Sequence, residues 1–199
     1  MANSNTPCGL KAVRILDGSP YNGQVMKFVV KAAVTNAIGI GDPILWNGSA
    51  DDDGVPSCDI ATVGATYKIT GVVAAFEPIR SNLNTVYRAS AAKDDDYYCY
   101  VVADPNAIFT IQDDGGAALT ADSVGLNSVL INASTVNTST GISGAEMDAG
   151  TTTAPSADAT YQFLILGLTQ LLDNAIGVNA FWDVLINLHS LRGNATAGV

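Results

Sequence analysis

Histidine, glutamate and basic side chains are scarce in this chain. Its 199 residues include one histidine, His189, and two glutamates, Glu77 and Glu146, against 17 aspartates and nine lysines and arginines. A single histidine leaves almost nothing to serve as a general base, and no GxSxG, HExxH or Cys-His pair stands elsewhere, so no enzymatic role is expected. The nine basic residues are scattered singly and the net charge is −10. Such a chain repels phosphate, which speaks against nucleic acid or an anionic membrane face as partner. The three cysteines, Cys8, Cys58 and Cys99, include no CxxC pair and read as free buried thiols of a reducing cytoplasm. No apolar run approaches the length of a membrane span. Met1 to Pro7 carries neither a basic nor an apolar region, so no signal peptide is expected.

Apolar residues make up 48% of the chain and charged residues 14%, the latter against about a quarter in an average soluble protein. A surface so poor in charge suits contact with another protein. Aspartate, asparagine and glycine favour turns, through local backbone hydrogen bonds or tolerance of left-handed dihedrals. Here Asp51-Asp52-Asp53-Gly54 and Asp113-Asp114-Gly115-Gly116 separate stretches rich in Val, Ile, Thr and Tyr. Strands are expected over 24–34, 44–46, 66–76, 97–102, 107–112, 161–168 and 181–189, with one short helical turn at 120–124 stopped by Gly125. The run 161–168 is apolar on both alternating faces and is expected to be central. From Phe181 onward, Trp182, Val184, Ile186 and Leu188 share the face that points to the core. The expectation is all-β: a single antiparallel β-barrel or β-sandwich over 24–190, with an extended N-terminal arm (1–23), a long Ser/Thr/Gly-rich loop (132–160) and a tail (191–199). Pro7, Gly9, Gly18, Pro20 and Gly23 argue against regular structure in the arm.

Candidate sites are few. His189 shares a strand face with Asp183 and Asn187 and reads as a strand-end histidine at a surface or interface rather than a base. Aligning Gly54 as the sixth position of a calcium loop leaves Ile60 at the twelfth, where a bidentate glutamate belongs, so the acidic loops at 51–53 and 94–96 read as solvated turns. Gly39-Ile40-Gly41 and Gly115-Gly116 adjoin aspartates and lack a phosphate-binding lysine, and so are turns as well. No catalytic residue, metal or cofactor is expected. The arm carries Leu10, Lys11, Val13, Arg14 and Ile15, which a free tail would rarely expose. Together with Tyr97, Tyr98 and Phe181 these are the candidate interface residues, with Lys11 and Arg14 meeting acidic groups on a neighbour.

Several ordered motifs resemble a known family. Asn5-Thr6-Pro7-Cys8-Gly9-Leu10, Ile40-Gly41-Asp42-Pro43, Ile69-Thr70-Gly71-Val72-Val73 followed by Phe76-Glu77-Pro78, Val124-Gly125-Leu126-Asn127, Leu166-Gly167-Leu168 and Ile186-Asn187-Leu188-His189 span nearly the whole chain. In their order the chain resembles the small virion proteins that decorate or cement the heads of tailed bacteriophages. The resemblance implies a non-enzymatic protein made in the bacterial host cytoplasm. It would bind the major capsid protein on the outer capsid surface between capsomers, as a homodimer or homotrimer, and resist the pressure of packaged DNA. The alternative is another virion surface β-module: a head-fibre base, a tail component or a carbohydrate-binding domain.

Overall fold

The computed structural model describes residues 3–80 and 82–192. In chain order the strands are β1 (Lys11–Ile15), β2 (Met26–Val30), β3 (Ile38–Gly39), β4 (Pro43–Ala50), β5 (Pro56–Ile60), β6 (Gly71–Phe76) and β7 (Tyr87–Arg88). They continue as β8 (Tyr97–Val102), β9 (Ala107–Gln112), β10 (Asn127–Ser128), β11 (Leu130–Ile131), β12 (Glu146–Met147), β13 (Phe163–Leu168) and β14 (Phe181–Ile186). The protein is all-β. A single 3-10 turn at Ala121–Ser123 interrupts it, with the Ser123 hydroxyl accepting the Thr120 N–H at 3.1 Å. Among the described residues no helix is long and apolar enough to cross a membrane.

Two sheets carry the architecture. Strands β2-β5-β4-β6-β8 close into a barrel, and β1-β9-β14-β13-β10 form an open five-stranded sheet. The named strands pair antiparallel as expected except β2 and β5, which run parallel with Val29 opposite Ser57, and isolated parallel bridges link Ile40 to Ile142, Ile69 to His189 and Asp113 to Met147. Alternation along β6 and β8 joins the two sheets. Val73 and Val101 point into the barrel with Phe28, Ile44, Cys58 and Cys99. Their neighbours Val72 and Val102 point outward into a second core with Phe109, Phe163, Trp182 and Val184 of the open sheet. One wall of the barrel therefore contributes side chains to the other core, as the period-2 geometry of strands allows.

Several expectations need correction. Residues 1–23 do not form a free arm, because Lys11–Ile15 is the edge strand β1, paired antiparallel with β9 from Lys11 opposite Thr110 to Ile15 opposite Ala107. Leu10 is buried in the larger core and so is not an interface residue. Gly9 makes this docking possible: its φ is +66°, and a Cβ there would sit 2.6 Å from the Gly41 carbonyl oxygen. Second, β13 is not the central strand. β14 is, flanked by β9 and β13.

Third, the 132–160 segment, expected as a long loop with room for one weak strand, carries such a strand but packs into the core. It contributes β12 and buries Ala145, Met147, Asp148 and Ala149. The Asp148 carboxylate holds the bend by accepting N–H groups from Gly150, Thr152 and Thr153. Fourth, the strand expected over 66–76 begins only at Gly71, since Thr66 takes a left-handed φ of 71°. The strand expected over 24–34 is confined to Met26–Val30. Trp182, Val184 and Ile186 are core residues, whereas Leu188 is half-buried. Of the expected tail 191–199, only Leu191 and Arg192 lie within the described residues.

Candidate interaction surface

The expected interface residues fall into three separate places. On the β1 edge, Lys11 and Val13 are exposed and Ile15 packs partly against the larger core. The Arg14 guanidinium donates to Asp183 Oδ2 of its own sheet at 2.8 Å, so it is not waiting for a neighbour's carboxylate. On the barrel, Tyr97 packs against the inner core with the Arg88 guanidinium 5.8 Å from its ring. The Tyr98 hydroxyl donates to Asp51 Oδ2 at 2.8 Å, and Lys27 sits 4.2 Å over its ring. Both tyrosines are therefore engaged within the chain. Arg88 is fully buried, and the carbonyls of Lys31, Ala32, Val34, Asn36 and Ala89 accept its N–H groups.

Phe181 lies in the third place, at the start of β14, where the loop 169–180 returns from β13. Four large apolar side chains of that loop face solvent: Leu171 (51% exposed), Leu172 (109%), Ile176 (52%) and Val178 (43%). Asp173, Asn174 and Gly177 punctuate this segment as turn residues do, and none of the expected interface residues lies within it. The missed signal was Leu171-Leu172, an apolar pair out of strand phase between turn residues.

This loop is braced from both sides. Asn174 acts as an internal clip, its Nδ2 donating to the carbonyls of Thr169 and Phe181 at 2.8 Å each while its Oδ1 accepts the Phe181 N–H at 2.9 Å. Asn3, from the start of the chain, donates to the carbonyls of Ala175 (2.8 Å) and Val178 (2.9 Å) and accepts the Ala175 N–H (3.0 Å). The end of β9 anchors the returning limb. Buried Gln112 donates to the carbonyls of Ser4 and Asn179 and accepts the Thr6 N–H. The Asp113 carboxylate accepts N–H groups from Asn179 (2.7 Å), Ala180 (3.0 Å), Gly115 (3.0 Å) and the Trp182 indole (3.0 Å). Burial pushes the Asp113 carboxyl up from its ordinary value, while these four donors pull it down. Asn179 sits at a left-handed φ of 56°, a conformation that asparagine tolerates better than most residues.

Fixing a loop in this way costs backbone entropy, about 1–2 kcal/mol per residue, which the bracing hydrogen bonds help to offset. The result is a preorganised apolar tip. Between that tip and residues 3–6 lies a cleft of about 240 Å³, with Phe181 and Leu171 on one side and Asn3, Ser4 and Thr6 on the other.

The acidic loops keep Asp52, Asp53, Asp94 and Asp95 exposed, as expected of solvated turns, while the histidine looks inward. Asp51 Oδ1 accepts the N–H groups of Asp53 and Val55, and Asp96 accepts the Ala32 N–H and pairs with Lys31. Among the described residues no three His, Cys, Asp or Glu side chains converge as a metal site. The three cysteines are free thiols, with Cys58 and Cys99 facing each other at 4.0 Å inside the barrel. His189, expected at a surface or interface, is buried. Its Nδ1 accepts the Leu191 N–H at 3.0 Å, and burial, with Arg192 nearby, holds its pKa down at about 4. A neutral ring whose Nδ1 is occupied by backbone is poorly placed to take a proton from a substrate. It lies instead at the seam between the sheets, where Ile69 donates to the Leu188 carbonyl and accepts the Ser190 N–H. No protein-family model, no curated protein and no solved structure matches this chain.

Proposed function

We propose that this protein is a non-enzymatic virion component that binds the outer face of a phage capsid shell between capsomers and stabilises it against internal DNA pressure. The braced loop 169–180 is its docking element. The observation that carries this reading is the fixed exposure of Leu171, Leu172, Ile176 and Val178 on a surface otherwise poor in charge. Contiguous apolar groups held rigidly in water favour a protein partner, since burying them there gains about 25 cal/mol per Å² with little further ordering cost. The net charge of −10 suits a site on the outside of the shell better than one facing packaged DNA. Repetition of modest contacts over a symmetric shell, or within a homodimer or homotrimer, makes them effectively permanent.

The test uses expanded, undecorated heads of the phage that encodes the chain. Leu172→Asp and Ile176→Asp, at exposed positions outside both buried cores, should abolish co-sedimentation with heads while leaving the melting temperature unchanged. Binding at wild-type affinity by both variants would sink the docking assignment. A copy number far below about one per capsid subunit would favour a fibre-base or tail module over a cement protein.

A further inference from the structure

We infer that the cleft beside the docking loop receives a cationic side chain, arginine or lysine, presented by the partner. The occupant rests on the docking reading above, but the cleft's chemistry stands on its own residues. No lysine or arginine lines it, and its single charged group is the Asp173 carboxylate. Among the described residues Asp173 forms no ion pair and its carboxylate accepts no hydrogen bond, whereas the three ion pairs of the structure engage Asp183, Glu77 and Asp96. Half-buried Phe181 supplies an aromatic ring on the same wall.

The uncompensated charge of the lining favours one ligand class. Both N–H groups of the Asn3 amide go to loop carbonyls, and so do both of Asn174. These amides therefore offer no donor to an occupant. What remains is a carboxylate, the Ser4 and Thr6 hydroxyls and the Asn179 amide, which can donate or accept, and a π face. An anion would find no matching charge. A neutral sugar could use the hydroxyls and the amide but would leave the carboxylate without a counter-charge. A guanidinium or ammonium group needs only acceptors, and gains further over an aromatic ring. The chain's net charge of −10 draws such a group in from a distance. Leu171 lines the cleft and also belongs to the apolar tip, so the two features can meet one partner surface.

Acetyl-arginine amide is the probe, titrated into the isotope-labelled full chain by NMR, with acetyl-citrulline amide as its uncharged isostere and methyl α-glucoside as the sugar control. Arginine amide should shift the side-chain amide signals of Asn3 and Asn174 and the backbone signals of 171–178. Asp173→Asn should weaken its binding about fivefold, the scale of an exposed ion pair. Phe181→Leu should weaken it about two- to fivefold through the lost ring. Equal binding of citrulline amide, or no effect of Asp173→Asn, overturns the cationic socket. Shifts with the glucoside alone would also overturn it and assign the cleft to a neutral sugar. The docking reading fails separately, through the head-binding variants, so either can fall without the other.

Discussion

His189 and Asp42 are buried groups whose titrations should oppose each other across the same pH range. Burial lowers the His189 pKa from 6.5 to about 4. Above pH 6.5 the ring is neutral whether the chain is folded or not. Below it the unfolded chain takes up a proton that the folded chain refuses, so stability present above 6.5 is lost as pH falls toward 4. At 1.36 kcal/mol per pKa unit the loss is about 3 kcal/mol. Asp42 is the mirror case. Its carboxylate accepts the Gly39 N–H at 2.7 Å and the Ser143 hydroxyl at 2.5 Å, yet burial raises its pKa from 3.8 to about 6. Here the folded chain holds a proton that the unfolded chain releases, so the contribution is full below 3.8 and is lost as pH rises through 6, again by about 3 kcal/mol.

Between pH 4 and 6 the two slopes nearly cancel in the wild type. Asp42→Asn and His189→Gln should each expose the other slope. In urea denaturation at half-unit pH steps, the stability of Asp42→Asn relative to wild type should fall by about 3 kcal/mol from pH 6.5 to 4, and that of His189→Gln should rise by a similar amount. Asp113 and Glu146, also raised by burial, are common to all three proteins and drop out of the differences. Curves for wild type and variants that stay parallel over this range would refute the reasoning for both residues.

Other perturbations separate the remaining contacts. Trp182→Ala empties the largest fully buried site and removes a donor from Asp113, so denaturant titration should show a loss of about 3–5 kcal/mol; less than about 1 kcal/mol would mean that the ring does not pack as described. Deleting residues 2–14 removes an edge strand and takes Leu10 out of the core, so the melting midpoint should drop sharply, and an unchanged midpoint would restore the picture of a passive arm. Asn3→Ala should leave global stability within about 1 kcal/mol yet speed hydrogen exchange of the amides at 175–178; unchanged exchange would show that Asn3 does not brace the loop. Melts in chelator and in millimolar calcium should coincide, and a rise of several degrees with calcium would reveal a bound ion through linkage.

Local signals in the chain located elements well wherever a β-rich run meets abrupt punctuation. Tyr97–Val102 and Ala107–Gln112 have the expected bounds because Asp104-Pro105-Asn106 separates them, and Gly125, at φ +88°, ends the 3-10 segment as expected. Pairing was not legible, because it depends on partners distant in sequence. Lys11–Ile15 is a strand only because β9 lies beside it, and the parallel contact between β2 and β5 has no local signature. The aspartates misled in a particular way. Asp113 and Asp148 sit at turns, as their type suggests, but their carboxylates point inward and gather backbone N–H groups. Sequence alone does not distinguish a solvated turn aspartate from one that acts as a structural anion. The docking loop was missed for the opposite reason, since its exposed leucines break the rule that apolar residues go inside.

The middle strand of the open sheet is also the last strand among the described residues. β1 and β9 can pair early, but the strand that joins them to β13 consists of residues 181–186. While the polypeptide is being made, the apolar faces of Val72, Val102 and Phe109 lack this part of their cover until residues 181–186 have emerged. The barrel, complete by residue 102, can close far sooner. Synthesis should therefore pass through a long interval in which a finished barrel carries an open, sticky flank. A stop codon anywhere before residue 181 would leave that flank permanently uncovered and fated for aggregation or proteolysis.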